Sequence, residues 1–253
     1  MVKIVLGKFD KLAVAYKKSR PGYSQNLKTI LSLFFQGRKN LKVIDLGSGT
    51  GIFTKLLTSI SKKVIGVEES NEMILNAHKN NKIKYVNQKV ESIKLKSKFH
   101  IISSASSFHW LDNKKLVNLV NSNLMNGGIF FICYNTRDIS NNKYLKKVEK
   151  KIFSLNSKFK SRVSSGSSSF VKNKILKFKK LSKLYGPLYL EFIHFETFSK
   201  KRYLSVWESS NELRNKLGEK NYQNFIKWID KSFPNNKITA KYLNKCWILQ
   251  KEI

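Results

Sequence analysis

Short apolar runs of strand length alternate along this chain with longer stretches in which apolar residues recur every three or four positions. In the first half the runs are Val43 to Leu46, Val64 to Val67, Ile83 to Asn87, Phe99 to Ser103 and Ile129 to Tyr134. Helical spacing marks Ser24 to Phe35, Ile52 to Ile60, Ser70 to Ala77 with Ser70 as its cap, and Asp112 to Leu124. Asn126-Gly127-Gly128 is a strong turn signal before the fifth run. Strand and helix in alternation predict an α/β domain with a mostly parallel sheet. The second half differs. Lys143 to Lys183 reads as two helices around a serine-rich break at Ser164 to Ser169, and Leu188 to Phe195 as a strand. Ser199 to Trp207 and Tyr222 to Ile229 read as helical, and Lys237 to Lys251 alternates as a last strand does.

The first run leads straight into Gly47-Ser48-Gly49-Thr50-Gly51 and then a helix. Glycine is needed there because the tight turn calls for backbone angles that a Cβ obstructs, and because a ligand must approach the main chain closely. A dinucleotide site usually reads Gly-x-Gly-x-x-Gly. Here the third glycine comes one residue early and Ile52 takes its place, so the turn reads as the cradle of another nucleoside cofactor. The second run ends at Glu68, whose carboxylate can accept from both hydroxyls of a ribose.

Val43-Ile44-Asp45-Leu46-Gly47-Ser48-Gly49-Thr50-Gly51 followed by that acid resembles the first motifs of class I S-adenosylmethionine-dependent methyltransferases. Phe9-Asp10 through Ala13, Tyr16, Arg20-Pro21 and Tyr23 is similar to the N-terminal signature of a subgroup that includes the trans-aconitate methyltransferase-like proteins. Phe108-His109-Trp110 with Asp112, and Asn135-Thr136-Arg137, resemble two further segments of that subgroup. The resemblance implies a doubly wound, seven-stranded, mostly parallel Rossmann-like sheet with one antiparallel strand and a helical insertion. It implies S-adenosylmethionine as cofactor, held by Asp45, Gly47, Ser48, Gly49, Thr50, Gly51, Glu68, Val90, Glu91 and Ser104. The acceptor side would be shaped by Tyr16, Arg20, Tyr23, Phe108, Trp110 and Arg137, with His109 orienting the acceptor or acting as its base. Alternatives stand beside these roles. The N-terminal segment can be an amphipathic helix packing Phe9, Leu12 and Tyr16; His109 can stack on Trp110; Arg137 can pair with Asp138 or Glu149. The chain also departs from the pattern, with Lys89 where the family has an acid, His100 where it has Asp in the fourth strand, and Glu69 before the helix that follows.

With 253 residues the chain is expected to be one domain: a helical cap over 1–40, a cofactor-binding core over 41–136, a basic helical insertion covering the substrate over 137–187, and 188–253 completing the sheet. A net charge of +33 invites a polyanion reading, yet only six of the 49 cations are arginine, the residue suited to bidentate phosphate recognition. Lysine enriched together with Asn, Ile, Ser and Phe favours compositional drift, so a small-molecule acceptor is preferred over RNA, with a non-catalytic cofactor-binding relative as a third reading. Two cysteines in apolar runs, no metal-ligand spacing and no apolar stretch near the ~18 residues that span a bilayer make a reducing cytoplasmic setting the expectation. Neither the acceptor nor the oligomeric state is legible.

Overall fold

The computed structural model describes residues 12–35, 38, 40–156, 169–234 and 236–253. Phe9 and residues 164–168 of the serine-rich break lie outside them. Two helices, α1 (Ala13–Ser19) and α2 (Gln25–Phe34), flank the Pro21-Gly22 break, and the Ser24 hydroxyl accepts from the Asn26 N–H to cap the second. The core follows as β1 (Lys42–Leu46), α3 (Ile52–Leu57), β2 (Lys63–Glu68), α4 (Asn71–Leu75) and β3 (Ile83–Asn87). Next come β4 (Phe99–Ala105), α5 (Asn113–Asn123) and β5 (Leu124–Asp138), with single 3-10 turns at Val90–Ser92 and Phe108–Trp110. Ser70 and Asp112 cap α4 and α5 by accepting from the N–H groups of Met73 and Lys115. The chain closes with α6 (Lys143–Leu155), α7 (Ser169–Leu181), β6 (Leu184–Ser199), α8 (Lys200–Glu208), α9 (Asn211–Leu217), α10 (Glu219–Ser232) and β7 (Lys237–Lys251).

The seven strands form one sheet in the order β3-β2-β1-β4-β5-β7-β6. All pairings from β3 to β5 are parallel, whereas β7 runs antiparallel to both of its neighbours and is the one reversed strand. This is the Rossmann-like methyltransferase topology that the resemblance implies. The chain winds outward from β1 through β2 to β3 and then returns to place β4 on the other side of β1. That reversal leaves a crevice beyond the carboxyl ends of β1 and β4, where open α/β sheets bind ligands.

Both faces of the sheet are covered, which is why Ile129 to Tyr134 is apolar without alternation. On one face Phe108, Leu116, Val120, Phe130 and Phe178 pack under α5 and α7. On the other Leu27, Leu31, Phe53, Leu57 and Phe131 pack under α2 and α3. A separate core joins α6, α8, α9 and α10 around Ile152, Tyr203, Trp207, Phe225 and Ile229, and sits on the ends of β6 and β7 through Phe198, Ile238 and Tyr242. Because Arg137 pairs with Tyr242 and Asp138 with Lys241, this second core stands at the carboxyl end of β5, beside the crevice.

Some elements depart from the expectations. α9 carries no clear periodic signal in the sequence. β5 begins at Leu124 and continues to Asp138, because Gly127, at φ +67°, absorbs the irregularity and β7 pairs along its whole upper half. Of the two basic helices, only α6 joins the cover, while α7 buries Val171, Ile175 and Phe178 against the main sheet.

Candidate active site

The turn after β1 is built by backbone angles that side chains resist. Gly47 has φ +70°, and a Cβ there would lie 2.6 Å from the Ser107 Cβ, so only glycine fits between β1 and the loop after β4. Gly49, at φ +54°, differs: a Cβ on it would meet nothing within 4 Å, which leaves open space above the turn. Gly51 begins α3 as its left-handed cap residue. The N–H groups of Gly47 and Ser48 both donate to the Val67 carbonyl at 2.9 Å and fold the turn onto the end of β2. There Glu68 completes it, since Oε2 accepts from the Gly49 N–H at 2.9 Å and Oε1 from the Ser70 N–H at 3.0 Å. The glycine turn and the acid therefore share one face of the sheet. Burial raises the pKa of Glu68, and the two backbone donors pull the other way.

Asp45 lies beneath this cradle. It is buried, with Oδ2 accepting from the Thr54 hydroxyl and Oδ1 from the Ser103 hydroxyl, both at 2.7 Å. Burial lifts its pKa to about 6 against those two bonds. Ser48 Oγ and Thr50 Oγ1 are buried without partners, so the cradle holds polar atoms that a bound ligand can satisfy. Orphaned hydroxyls, an open volume above Gly49 and a carboxylate at the neighbouring strand end fit the ribose and methionyl parts of S-adenosylmethionine. Val90 is buried in the core, and Glu91 Oε1 accepts from the Asp112 N–H at 3.1 Å. Lys89 makes no capping bond, and His100 Nδ1 accepts from the Lys42 N–H at 3.0 Å, a structural role at the strand entry.

The loop after β4 is pinned from below. The Ser104 and Ser107 hydroxyls bond at 2.7 Å, and Ser107 donates to the Leu46 carbonyl at 2.7 Å. Ser104, expected at the cofactor, is fully buried with its hydroxyl on Ser107, the residue that holds the loop to β1. Phe108, expected on the acceptor side, is likewise fully buried and packs edge-on to Phe178. An aromatic ring there contributes more to the core than to a polar cleft. His109 is 6% exposed, stacks beside Trp110, and sets Nδ1 3.2 Å from the Tyr134 hydroxyl. Its Nε2 is buried with no partner. Burial lowers its pKa to about 4, so the ring is neutral at physiological pH.

The N-terminal segment is strapped across the sheet end. Gly22 donates to Glu196 Oε1 at 3.0 Å, Asn135 Nδ2 donates to the Gly22 carbonyl at 2.6 Å, and Ser24 N–H donates to Asn244 Oδ1 at 2.7 Å. His194 Nε2 bonds to Asn135 Oδ1 at 3.0 Å. Tyr23 reaches Ser106 Oγ at 3.3 Å, and Ser106 holds a left-handed φ of +54° while its N–H bonds to the Cys133 carbonyl. Arg20 lies over the Tyr16 ring at 4.6 Å and donates through Nε and Nη2 to Ser209, at 3.1 Å each, joining the segment to the cover. Arg137 resolves differently from the substrate fork considered for it. Its Nη2 pairs with Glu149 at 2.7 Å, and its guanidinium lies 4.9 Å over Trp207, so it ties β5 to α6 and α8. Reasoning from sequence missed Tyr134 and Ser106. Tyr134 stood in a core-like apolar run and Ser106 in a serine tract, and neither carried a separable signal. Among the described residues no group of three His, Cys, Asp or Glu side chains is placed to hold a metal.

Comparison with known proteins agrees with this architecture. Residues 43–128 match a family model described as a methyltransferase domain. A Dictyostelium discoideum protein named as a methyltransferase is 32% identical over 152 residues, 57% of this chain and 55% of that protein. A Saccharomyces cerevisiae protein named as an S-adenosylmethionine-dependent methyltransferase is 32% identical over 126 residues, 46% of this chain and 42% of that protein. The chain thus spans about half the length of the curated relatives it matches. A structure described as a type II methyltransferase from Anaeromyxobacter dehalogenans superposes with a TM-score of 0.63 at 15% identity, covering 90% of this chain and 97% of the other. These matches support a class I S-adenosylmethionine-dependent methyltransferase, the family model itself matching residues 43–128. No helix of the described residues is long and apolar enough to cross a membrane.

Proposed function

We propose that the chain transfers a methyl group from S-adenosylmethionine to an oxygen of a small molecule, and that the acceptor oxygen belongs to a carboxylate. The trans-aconitate methyltransferase-like subgroup remains the nearest reading of the N-terminal and Phe108-His109-Trp110 segments. The cofactor supplies an electrophilic methyl group on a sulfonium. The protein's part is to align the acceptor and exclude water. The observation that carries the acceptor class is the state of His109. His109 Nδ1 lies 3.2 Å from the Tyr134 hydroxyl, and in this reading the phenol donates its proton to Nδ1. That leaves the ring proton on Nε2, a buried donor whose partner is the acceptor. A neutral imidazole that donates from Nε2 orients an oxygen; it does not deprotonate a hydroxyl or an ammonium group there. A carboxylate needs no base, because it is already anionic at neutral pH and transfer leaves an ester and a thioether with no proton to remove.

Two experiments test this in turn. Calorimetry with S-adenosylhomocysteine should detect saturable binding that Glu68→Ala weakens at least about tenfold, the cost of losing charged hydrogen bonds; undiminished binding in that variant refutes the cofactor assignment. Labelled methyl transfer to a panel of carboxylic acids, alcohols and amines should then favour the acids, with a rate flat between about pH 6 and pH 9. A rate rising tenfold per pH unit would refute the carboxylate. The +33 charge motivates RNA as the rival acceptor. Filter binding at two salt concentrations separates them, since adhesion by charge alone falls steeply with salt and discriminates no sequence.

A further inference from the structure

The two edges of the sheet are treated in opposite ways. At one edge β3 is five residues long, carries Lys84 and follows directly on Lys82. Short edges bearing lysine resist pairing with another strand, because pairing would desolvate the ammonium. At the other edge β6 runs for 16 residues, Leu184–Ser199, and among the described residues β7 is its only neighbour in the sheet. In a chain of 253 residues with 49 Lys and Arg, this stretch contains neither. The longest unpaired edge is thus the one most free of cations.

Its side chains point the same way. Tyr185 is 60% exposed, Leu188 49%, Tyr189 45%, Ile193 51% and Phe195 66%. Its two acids are neutralised within the chain, Glu191 by Lys245 at 3.6 Å and Glu196 by Arg202 at 2.9 Å. What remains outward is a row of backbone donors and acceptors with aromatic and aliphatic side chains along it. Pro187 offers no N–H and the register shifts between Tyr185 and Leu188, so the unbroken row covers 188–199, roughly 40 Å at about 3.3 Å per residue.

We infer that β6 is a homodimer edge, where a second copy of this chain adds its own β6 antiparallel to make one continuous sheet across a two-fold axis. Charge selects the face at which two copies can meet. Copies carrying +33 each repel across most of their surfaces, and β6 offers a long approach with no cation facing a cation. A two-fold places the same strand on both sides, so this holds for both partners at once. Burying the exposed parts of those five side chains from each copy, with the flanking backbone, removes on the order of 1,000 Å² in total, the lower bound for a specific interface. The lysine-bearing β3 edge does not extend the array, so the assembly closes at two. The inference does not rest on the proposed reaction.

Sedimentation of the full chain at about 0.1 M and about 0.5 M salt tests it, because screening weakens the repulsion between copies. The expected mass is twice 29.4 kDa, with a larger dimer fraction at the higher salt. Ile193→Lys combined with Phe195→Lys should return a single-chain mass with an unchanged circular dichroism spectrum and a melting temperature that no longer depends on protein concentration. Leu75→Lys, an equally exposed apolar site on α4, should stay dimeric. A wild-type chain that is monomeric at both salts up to about 100 μM, well above ordinary dimer affinities, overturns the inference. So does a dimer that survives the double substitution, one that dissociates as salt rises, or an open-ended assembly.

Discussion

The cradle and the cover are made of the same twenty residue types but are specified by different physics. The cradle is shaped by its main chain: Gly47 and Gly49 hold backbone angles closed to most residues, and Glu68 ties their turn to β2. The cover is shaped by a second core, with Tyr203, Trp207 and Phe225 fully or almost fully buried and Arg137 paired among them. A backbone-built site must use particular residues at fixed spacing. A side-chain-built one can be packed in many ways, so its chemistry is not written in any short stretch.

The largest test of that contrast falls on Arg137. If it is a strut of the cover, Arg137→Ala should cost about 3 kcal/mol of stability, because its buried pair with Glu149 and its contact over Trp207 are lost together. Binding of S-adenosylhomocysteine to the surviving folded fraction should be unchanged. Urea unfolding and calorimetry read the two separately. A variant of wild-type stability that has lost only its acceptor would return Arg137 to the substrate and blur the division.

The next test lies under the cradle and is read by pH. Asp45, raised from 3.8 to about 6, binds a proton more tightly folded than unfolded, so it alone makes the fold more stable as pH falls through that window. His109, lowered from 6.5 to about 4, binds its proton less tightly folded, so it alone makes the fold less stable over nearly the same range. Each is worth about 3 kcal/mol at full span, and in the wild type the two slopes oppose each other. Asp45→Asn should expose the His109 slope, with stability falling by about 3 kcal/mol between pH 7 and pH 4 relative to wild type. Parallel curves for the two proteins in urea titrations would mean that Asp45 is not held in the buried state described.

Gly49→Ala is a milder but cleaner probe of the backbone argument. The new methyl meets nothing in the protein, so the fold should lose only about 1 kcal/mol for its left-handed angle. The same methyl enters the space above the turn and should weaken S-adenosylhomocysteine binding by roughly tenfold to a hundredfold, or about 2 kcal/mol. Equal affinity in the two proteins would place the cofactor elsewhere.

The same contrast explains how much was legible beforehand. The order of strands and helices through β5, the caps at Ser70 and the cradle from Gly47 to Glu68 could be read because periodicity, capping and turn chemistry are local. Ser104 and Phe108 could not be placed. Alternation in a loop does not say which side chains turn under it, and here Ser107 bonding to Leu46 draws the loop inward. The anchoring of Gly22 by Asn135 and Glu196 depends on partners more than a hundred positions apart, beyond any window read along the chain.

The smallest effect is expected where cradle and cover meet, at Tyr134. Tyr134→Phe keeps the ring that packs edge-on to Trp247 and removes only the hydroxyl facing His109 Nδ1. Packing is preserved, so stability should fall by no more than about 1 kcal/mol, the worth of one neutral hydrogen bond. S-adenosylhomocysteine binding should not change, because no cradle atom is touched. What should change is the imidazole. Without the phenol proton at Nδ1 the two neutral tautomers become mixed, and part of the population no longer presents a donor at Nε2. Turnover should then drop several-fold, about 1 kcal/mol in kcat/KM, with ring nitrogen chemical shifts moving from the single tautomer toward the average of the two. Ring nitrogen shifts identical to those of the wild type would show that Tyr134 does not set the proton, and His109 would again be free to serve as a base.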